Sequence, residues 1–173
     1  MKTFLMRPTL SLSQEILPVH KLPKTQYLGS KERLANWIYE NSPKNIDTVF
    51  DAFSGTSVVG YIFKTKGKRV IGNDFLKFNF HIGKAVIENK DQTLDNRDLR
   101  ILFKQNDKAD TLIEKVFTGV FFERDQAQFL DNFRANVDLL ESDTKQSLAL
   151  AIMNRALTRK ILLGHFAHLS ALR

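Results

Sequence analysis

Apolar residues recur at two different periods along this chain of 173 residues, and the changes of period mark out its elements. Residues 1–24 hold Pro8, Pro18 and Pro23 and sustain no period, so they read as an extended leader. From Gly29-Ser30 the spacing turns helical. Leu34, Trp37 and Ile38 recur at that spacing, Ser30 is placed to cap, and Asn41-Ser42-Pro43 forces a stop. Ile46 to Phe50 is short and β-branched, Asp51 to Ser57 is a turn of small residues, and Val58 to Lys66 is a helix ending at Gly67. Lys68 to Gly72 supplies a second strand, Asn73-Asp74 closes it, and Phe75 to Glu88 is again helical. Two successive strand–helix units with short connections predict a parallel, right-handed α/β arrangement. Asn89 to Asp110 is polar and charged around a short apolar run at Leu99 to Phe103, and reads as an exposed connection without a strand. After Phe117 to Phe122 the pattern predicts one helix over Asp125 to Leu140 and another over Thr144 to Leu163. Ser142-Asp143-Thr144 offers caps for the second, and Leu148, Ile152, Ala156 and Arg159 run down one side.

These elements divide the chain into the leader (1–24), an α/β portion (25–90) and a helical region (91–173). Hydrophobic residues at 43% and charged residues at 26% are ordinary for a soluble globular protein. The balance of 26 Lys and Arg against 19 Asp and Glu leaves a charge of +7, which makes a polyanion a natural partner. No cysteine is present, which excludes disulfides, thiolate catalysis and Cys-ligated zinc or iron–sulfur sites; four scattered histidines leave little for a metal. No run approaches the roughly 18 unbroken apolar residues of a membrane span. The first residues start like a signal peptide, but Arg7 and Pro8 cut the apolar run short, so the expectation is a cytoplasmic protein.

Chemistry concentrates at the predicted carboxyl ends of the two strands, where ligands bind in open α/β sheets. In Asp51-Ala-Phe-Ser-Gly-Thr-Ser-Val-Val-Gly60, an acid is followed by Gly55, which lets a backbone approach a ligand closely or merely makes the turn. The segment has neither the Lys of a phosphate loop nor the glycine spacing of dinucleotide binders. Asn73-Asp74 puts a second carboxylate on the same edge, suited either to capping a helix or to accepting two ribose hydroxyls. Upstream, Tyr27 offers an aromatic face and Lys31 a cation before a helix N-terminus; both also read as a packing residue and a solvated charge.

In this order the three segments resemble the Dam-like (alpha-type) adenine-specific DNA N6-methyltransferases, which methylate the exocyclic amine of adenine using S-adenosylmethionine (SAM). The family pattern aromatic-x-Gly-[Gly/Ser]-Lys is matched by Tyr27-Leu-Gly29-Ser30-Lys31. Its glycine motif, [Asp/Glu]-x-Phe-x-Gly-[Ser/Ala/Thr]-Gly-x-Val, is matched from Asp51 through Phe53 and Gly55 to Val59, except that Ser57 replaces the second glycine. Its Asn-Asp or Ala-Asp strand end is matched by Asn73-Asp74, and the stretch from Phe117 to Leu163 looks like its helical region. The resemblance covers about residues 24–165. It implies a partial Rossmann-like SAM-dependent fold with a helical C-terminal region, double-stranded DNA as partner, and a setting such as restriction-modification. Tyr27 and Lys31 would contact the methionine end of SAM, Asp51 to Gly55 would pass beneath it, and Asp74 would hold the ribose hydroxyls.

One departure stands out. The family's catalytic loop, [Asp/Asn/Ser]-Pro-Pro-[Tyr/Phe/Trp], cannot occur after Pro43, because no proline follows it. The expectation is therefore the SAM-binding N-terminal part of a DNA adenine-N6 methyltransferase, truncated or one subunit of a split enzyme, inactive alone and without a catalytic residue of its own. In a split enzyme a complementary chain would carry the missing loop. Until one covers it, the edge at Ile46 to Phe50 should seek a partner, with Phe50, Phe53 and Val58 near the surface. The alternative is a non-catalytic DNA-binding or regulatory module that keeps the fold; its support is that no acid follows Asp143, while Lys145, Arg155, Arg159, Lys160 and Arg173 remain.

Overall fold

The computed structural model describes residues 2–4 and 29–160. They comprise β1 (Lys2–Phe4), α1 (Ala35–Glu40), β2 (Thr48–Asp51), α2 (Val58–Thr65), β3 (Arg69–Asp74), α3 (Lys77–Gly83) continuing as a π-helical turn (Lys84–Glu88), α4 (Asn96–Leu102), α5 (Leu112–Phe117), α6 (Arg124–Val137) and α7 (Asp143–Lys160). They fall into two compact units that divide between Lys90 and Asp91. Among them no helix is long and apolar enough to cross a membrane.

The first unit is a small mixed sheet in the order β1-β3-β2. β2 and β3 are parallel, with Phe50 opposite Ile71 and Asp51 opposite Gly72, as the two strand–helix units predict. β1 adds on the other side of β3, antiparallel; the rest of the leader lies outside the described residues. β2 is thus an edge of the described sheet. Thr48 and Phe50 face outward, and Phe50 is 59% exposed. Phe63, Val70 and Ile87 form the core, flanked by Ile38, Tyr39, Ile46 and Val49.

The first helix begins later than its sequence predicts. Ser30 Oγ accepts only a long bond from Glu32 N (3.4 Å), and residues 31–34 make a separate turn closed by Leu34 N to Lys31 O at 2.9 Å. α1 therefore starts at Ala35, which is buried, with Leu34 at the cap position; Leu34 and Trp37 stay outside while Ile38 joins the core. β3 likewise runs two residues past Gly72, because Asn73 and Asp74 remain paired with β1.

Lys64 ties α2 to the end of the π-helical turn, donating to the carbonyls of Val86 (2.9 Å) and Asn89 (2.6 Å). Burial first, and then the charge of Lys90, lower its pKa to about 8. The neutral amine still has two N–H groups for the two carbonyls, so deprotonation removes the buried charge and keeps both bonds. Between pH 8 and the ordinary lysine value of 10.5 the unfolded chain binds the proton that the folded one has released, so stability rises with pH there. The melting temperature should climb between about pH 8 and 9.5 in the wild type and not in Lys64→Met. The range stops there because Tyr61, whose pKa is raised by burial, works in the opposite direction once it titrates.

In the second unit, Leu102, Phe133, Val137, Leu140 and Ala149 make the core. The polar stretch read as a connection contains a helix, α4, started by a reciprocal capping box: Asp95 Oδ1 accepts from Arg97 N and Asp98 N (2.7 and 2.9 Å), and Asp98 Oδ2 accepts from Asp95 N (2.9 Å). Asp98 is buried and also meets Lys145 Nζ at 3.0 Å, so Lys145 is a structural ion-pair member rather than a free cation. α5 was likewise not expected; buried Asp131, from α6, accepts the N–H groups of Ile113 and Glu114, both at 2.9 Å. Asn136 donates to the carbonyls of Leu102 (3.3 Å) and Lys104 (2.6 Å) and accepts from Asn106 Nδ2 (2.9 Å), which fixes the chain leaving α4.

α7 presents a different side from the one predicted. Ile152 is 58% exposed and Ala156 is exposed, while Ser147 and Ala149 are buried and Leu150 and Met153 pack on the core. The core of Leu102, Phe133, Val137 and Leu140 is met by the side of α7 that carries Ala149, Leu150 and Met153.

Candidate functional site

Parallel pairing brings the ends of β2 and β3 side by side, so the loop after Asp51 meets the strand end at Asn73-Asp74. The junction is made by hydrogen bonds. Asn73 Nδ2 donates to Ala52 O (2.9 Å), Ser54 N donates to Asn73 O (2.9 Å), and Gly55 N donates to Asp74 Oδ2 at 2.7 Å. Gly55 has φ 49°, in the left-handed region that favours glycine. The other oxygen, Asp74 Oδ1, accepts from Leu76 N (3.0 Å) and from Asn79 Nδ2 (2.9 Å), so Asp74 both caps the approach to α3 and holds the glycine loop.

The two carboxylates are driven apart electrostatically. Burial raises the pKa of Asp51; backbone N–H groups of Gly60 and Phe53 oppose this, the charge of Asp74 adds to it, and the net shift is upward. Burial also acts to raise that of Asp74, but Asn79 and the N–H groups of Leu76, Gly55 and Phe75 outweigh it, and the net shift is downward. Asp74 thus remains a charged, acceptor-only group across the neutral range.

Ser57 stands where the resembling family has its second glycine, and the backbone shows why glycine suits the position: φ is 59° and ψ 18°, the left-handed region, the one such non-glycine among the described residues. Its hydroxyl is fully buried and has no partner among the described residues. A left-handed non-glycine costs about 1 kcal/mol and an unsatisfied buried hydroxyl about 1–3 kcal/mol, against a smaller penalty for the freer glycine chain when unfolded. Ser57→Gly should therefore raise stability by about 1–2 kcal/mol, read as a higher urea midpoint at unchanged slope.

Two phenylalanines flank the loop. Phe53 is 91% exposed and Phe75, directly after Asp74, is 86% exposed. Phe75 was not a sequence candidate, since one Phe among Phe75, Phe78 and Phe80 carries no mark of exposure; nor was Asn79, whose buried amide meets Asp74 across one turn. Upstream, Gly29 has φ 84°, and Lys31 Nζ curls back to Gly29 O at 3.0 Å, four residues before α1. Lys31 is thus not placed at that helix's N-terminus. Tyr27 lies outside the described residues. Among the described residues no group of three His, Cys, Asp or Glu is arranged to hold a metal ion.

The chain is similar to the Type II methyltransferase M2.HphI of Haemophilus parahaemolyticus, 36% identical over 146 residues that cover 84% of this chain and 43% of the relative. It is also similar to the Type II methyltransferase M.NlaIII of Neisseria lactamica, 40% identical over 70 residues, 36% of this chain and 21% of that protein. It therefore spans less than half the length of these curated relatives. No solved structure matches it. Residues 27–162, which include the loop and both acids, match the family model of the D12 class N6 adenine-specific DNA methyltransferases, and the chain belongs to that family.

Proposed function

We propose that residues 25–90 form the SAM-binding part of a partial Rossmann-like fold, in an enzyme that methylates the exocyclic amine of adenine in double-stranded DNA. The observation that carries this reading is the bond from Gly55 N to Asp74 Oδ2, which ties the glycine loop to the neighbouring strand end and gathers two carboxylates and two exposed aromatic rings on one edge. The residues suit such a cofactor chemically. A charged acceptor fits the hydroxyls of a ribose, and exposed phenyl faces fit a purine. SAM, when bound, supplies the methyl group. Asp74, oriented by its protein donors, accepts the ribose hydroxyls; Phe53 and Phe75 offer apolar surface; Asp51 to Gly55 run beneath the cofactor; and Lys31, with Tyr27, Gly29 and Ser30, meets its methionine end. The adenine-holding loop of the Pro-Pro type is not among these 173 residues and is supplied either by the rest of a longer protein or by a complementary chain, which would also cover the edge at β2.

Calorimetric titration with SAM tests the cofactor reading. The wild type should bind weakly. Asp74→Asn, which removes the charge and turns one of the two accepting oxygens into a donor, should lower affinity by tenfold or more, since a hydrogen bond to a charged group contributes about 1.5–3 kcal/mol. Phe75→Ala, at a side chain that supports no packing, should lower it by about fivefold while leaving the melting temperature unchanged. Affinity unchanged in both variants would reduce Asp74 to a cap and a loop tether.

A further inference from the structure

The opposite end of the same unit is basic. Of the whole chain's charged residues, 14 Lys and Arg against 7 Asp and Glu fall in residues 1–90 and 12 against 12 in residues 91–173, so the entire +7 belongs to the first unit. Within its described part, positive charge collects where α1 and α2 end and β3 begins. The ammonium groups of Lys44 and Lys66 both lie over the ring of Tyr39, 5.1 and 5.7 Å from its centre. Lys68 and Arg69 follow Lys66 on the turn into β3, and Lys64 and Lys90 repel each other nearby. The acids of the same segments are Glu40, Asp47 and Glu88, the last of which pairs with Lys84 at 3.8 Å.

Capping of helix ends accounts for part of this. Lys44 donates to the carbonyls of Tyr39 and Glu40, and Lys64 to those of Val86 and Asn89. It does not account for Lys66 and Lys68: among the described residues neither has a carboxylate within 4.0 Å or a carbonyl bonded to its amine, and Lys66 is exposed. Like charges that outnumber the neighbouring acids raise the local potential and favour a polyanion.

We propose that this end, formed by Lys44, Lys66 and Lys68, is a second, sequence-independent contact for the phosphate backbone of duplex DNA. The proposal rests on the DNA reading above and goes beyond it by placing a contact away from the candidate site. From Arg69 to Asp74 β3 spans about 17 Å at ~3.3 Å per residue, about half of one ~34 Å duplex turn. Contacts of this kind set register and affinity without reading bases.

The test is fluorescence anisotropy with a labelled 25-base-pair duplex over a salt series, with SAM affinity and melting temperature measured on the same proteins. The Lys44→Gln, Lys66→Gln, Lys68→Gln triple variant should lose at least tenfold in affinity at ~0.1 M salt, and its slope of log affinity against log salt should flatten by about 3. The corresponding Lys→Arg triple should keep the wild-type slope, and both triples should keep SAM affinity. An unchanged slope in the Gln triple would overturn the proposal, as would a wild type that binds no duplex or that is displaced more readily by single-stranded RNA than by duplex. SAM binding is read separately, so its absence in the wild type counts against the cofactor reading alone.

Discussion

The purified 173-residue chain should transfer no measurable methyl groups to adenine-containing duplex DNA. The amine of adenine is a poor nucleophile until its lone pair is aimed at the methyl, and holding two reactants in such an alignment contributes about 7–11 kcal/mol. In the family that this chain belongs to, the aim comes from a loop with two consecutive prolines, a polar side chain before them and an aromatic after them. The prolines of this chain are Pro8, Pro18, Pro23 and Pro43. On the proposed cofactor role, Asp51, Gly55 and Asp74 meet SAM rather than the base, so they would not substitute for the loop. The expected rate is below about a thousandth of that of an assembled enzyme. Tritium transfer from labelled SAM is the assay; co-expression with a fragment carrying Asp-Pro-Pro-Tyr should restore it. Turnover by the pure chain would show that this chain holds the amine by other groups.

Gly60→Val should destabilise the first unit by about 3 kcal/mol, at the upper end of the usual cost of overpacking a core. Gly60 lies on the inner face of α2, and a Cβ there would meet Val70 Cγ1 at 3.0 Å, Ile87 Cδ1 at 3.5 Å and Asp51 Oδ2 at 3.8 Å. Val70 and Ile87 are two of the three buried core residues of this cluster, 2% and 1% exposed. The two extra methyl groups of valine would push α2 off the sheet and press on the Asp51 carboxylate, which the Gly60 N–H itself holds. Gly60→Ala should cost less, because the gain of about 1 kcal/mol in helix propensity offsets part of the crowding. Adding Val70→Ala to Gly60→Val should recover part of the loss, although Val70→Ala alone destabilises; such coupling is the mark of a direct contact. Urea unfolding measures all four proteins. Equal midpoints for the wild type and Gly60→Val would mean that the helix stands farther from the sheet.

Hydrophobic periodicity and punctuation carry the first unit. Strand, small-residue turn, helix ending at Gly67, second strand and second helix are local patterns, and parallel pairing of the strands follows from their order. That pairing alone sets Asp51 and Asp74 on one edge, so the candidate site is legible before any coordinate is known. Other features depend on partners distant in sequence. Nothing near Thr111 caps α5; the acceptor is Asp131, 18 residues from Ile113. Asn136 reaches back 34 residues to Leu102 O. Lys2–Phe4 is a strand because β3 offers it an open edge. The charge run at Asp95 to Asp98 reads as solvated chain until both carboxylates fold onto each other's backbone N–H. The exposure of Phe75, the left-handed turn at Ser57 and the outward side of α7 are settled by what packs beside them. Hydrophobicity and propensity are properties of a residue and its near neighbours, which the order of amino acids states directly; hydrogen bonds and steric fit between distant segments exist only once the chain has folded.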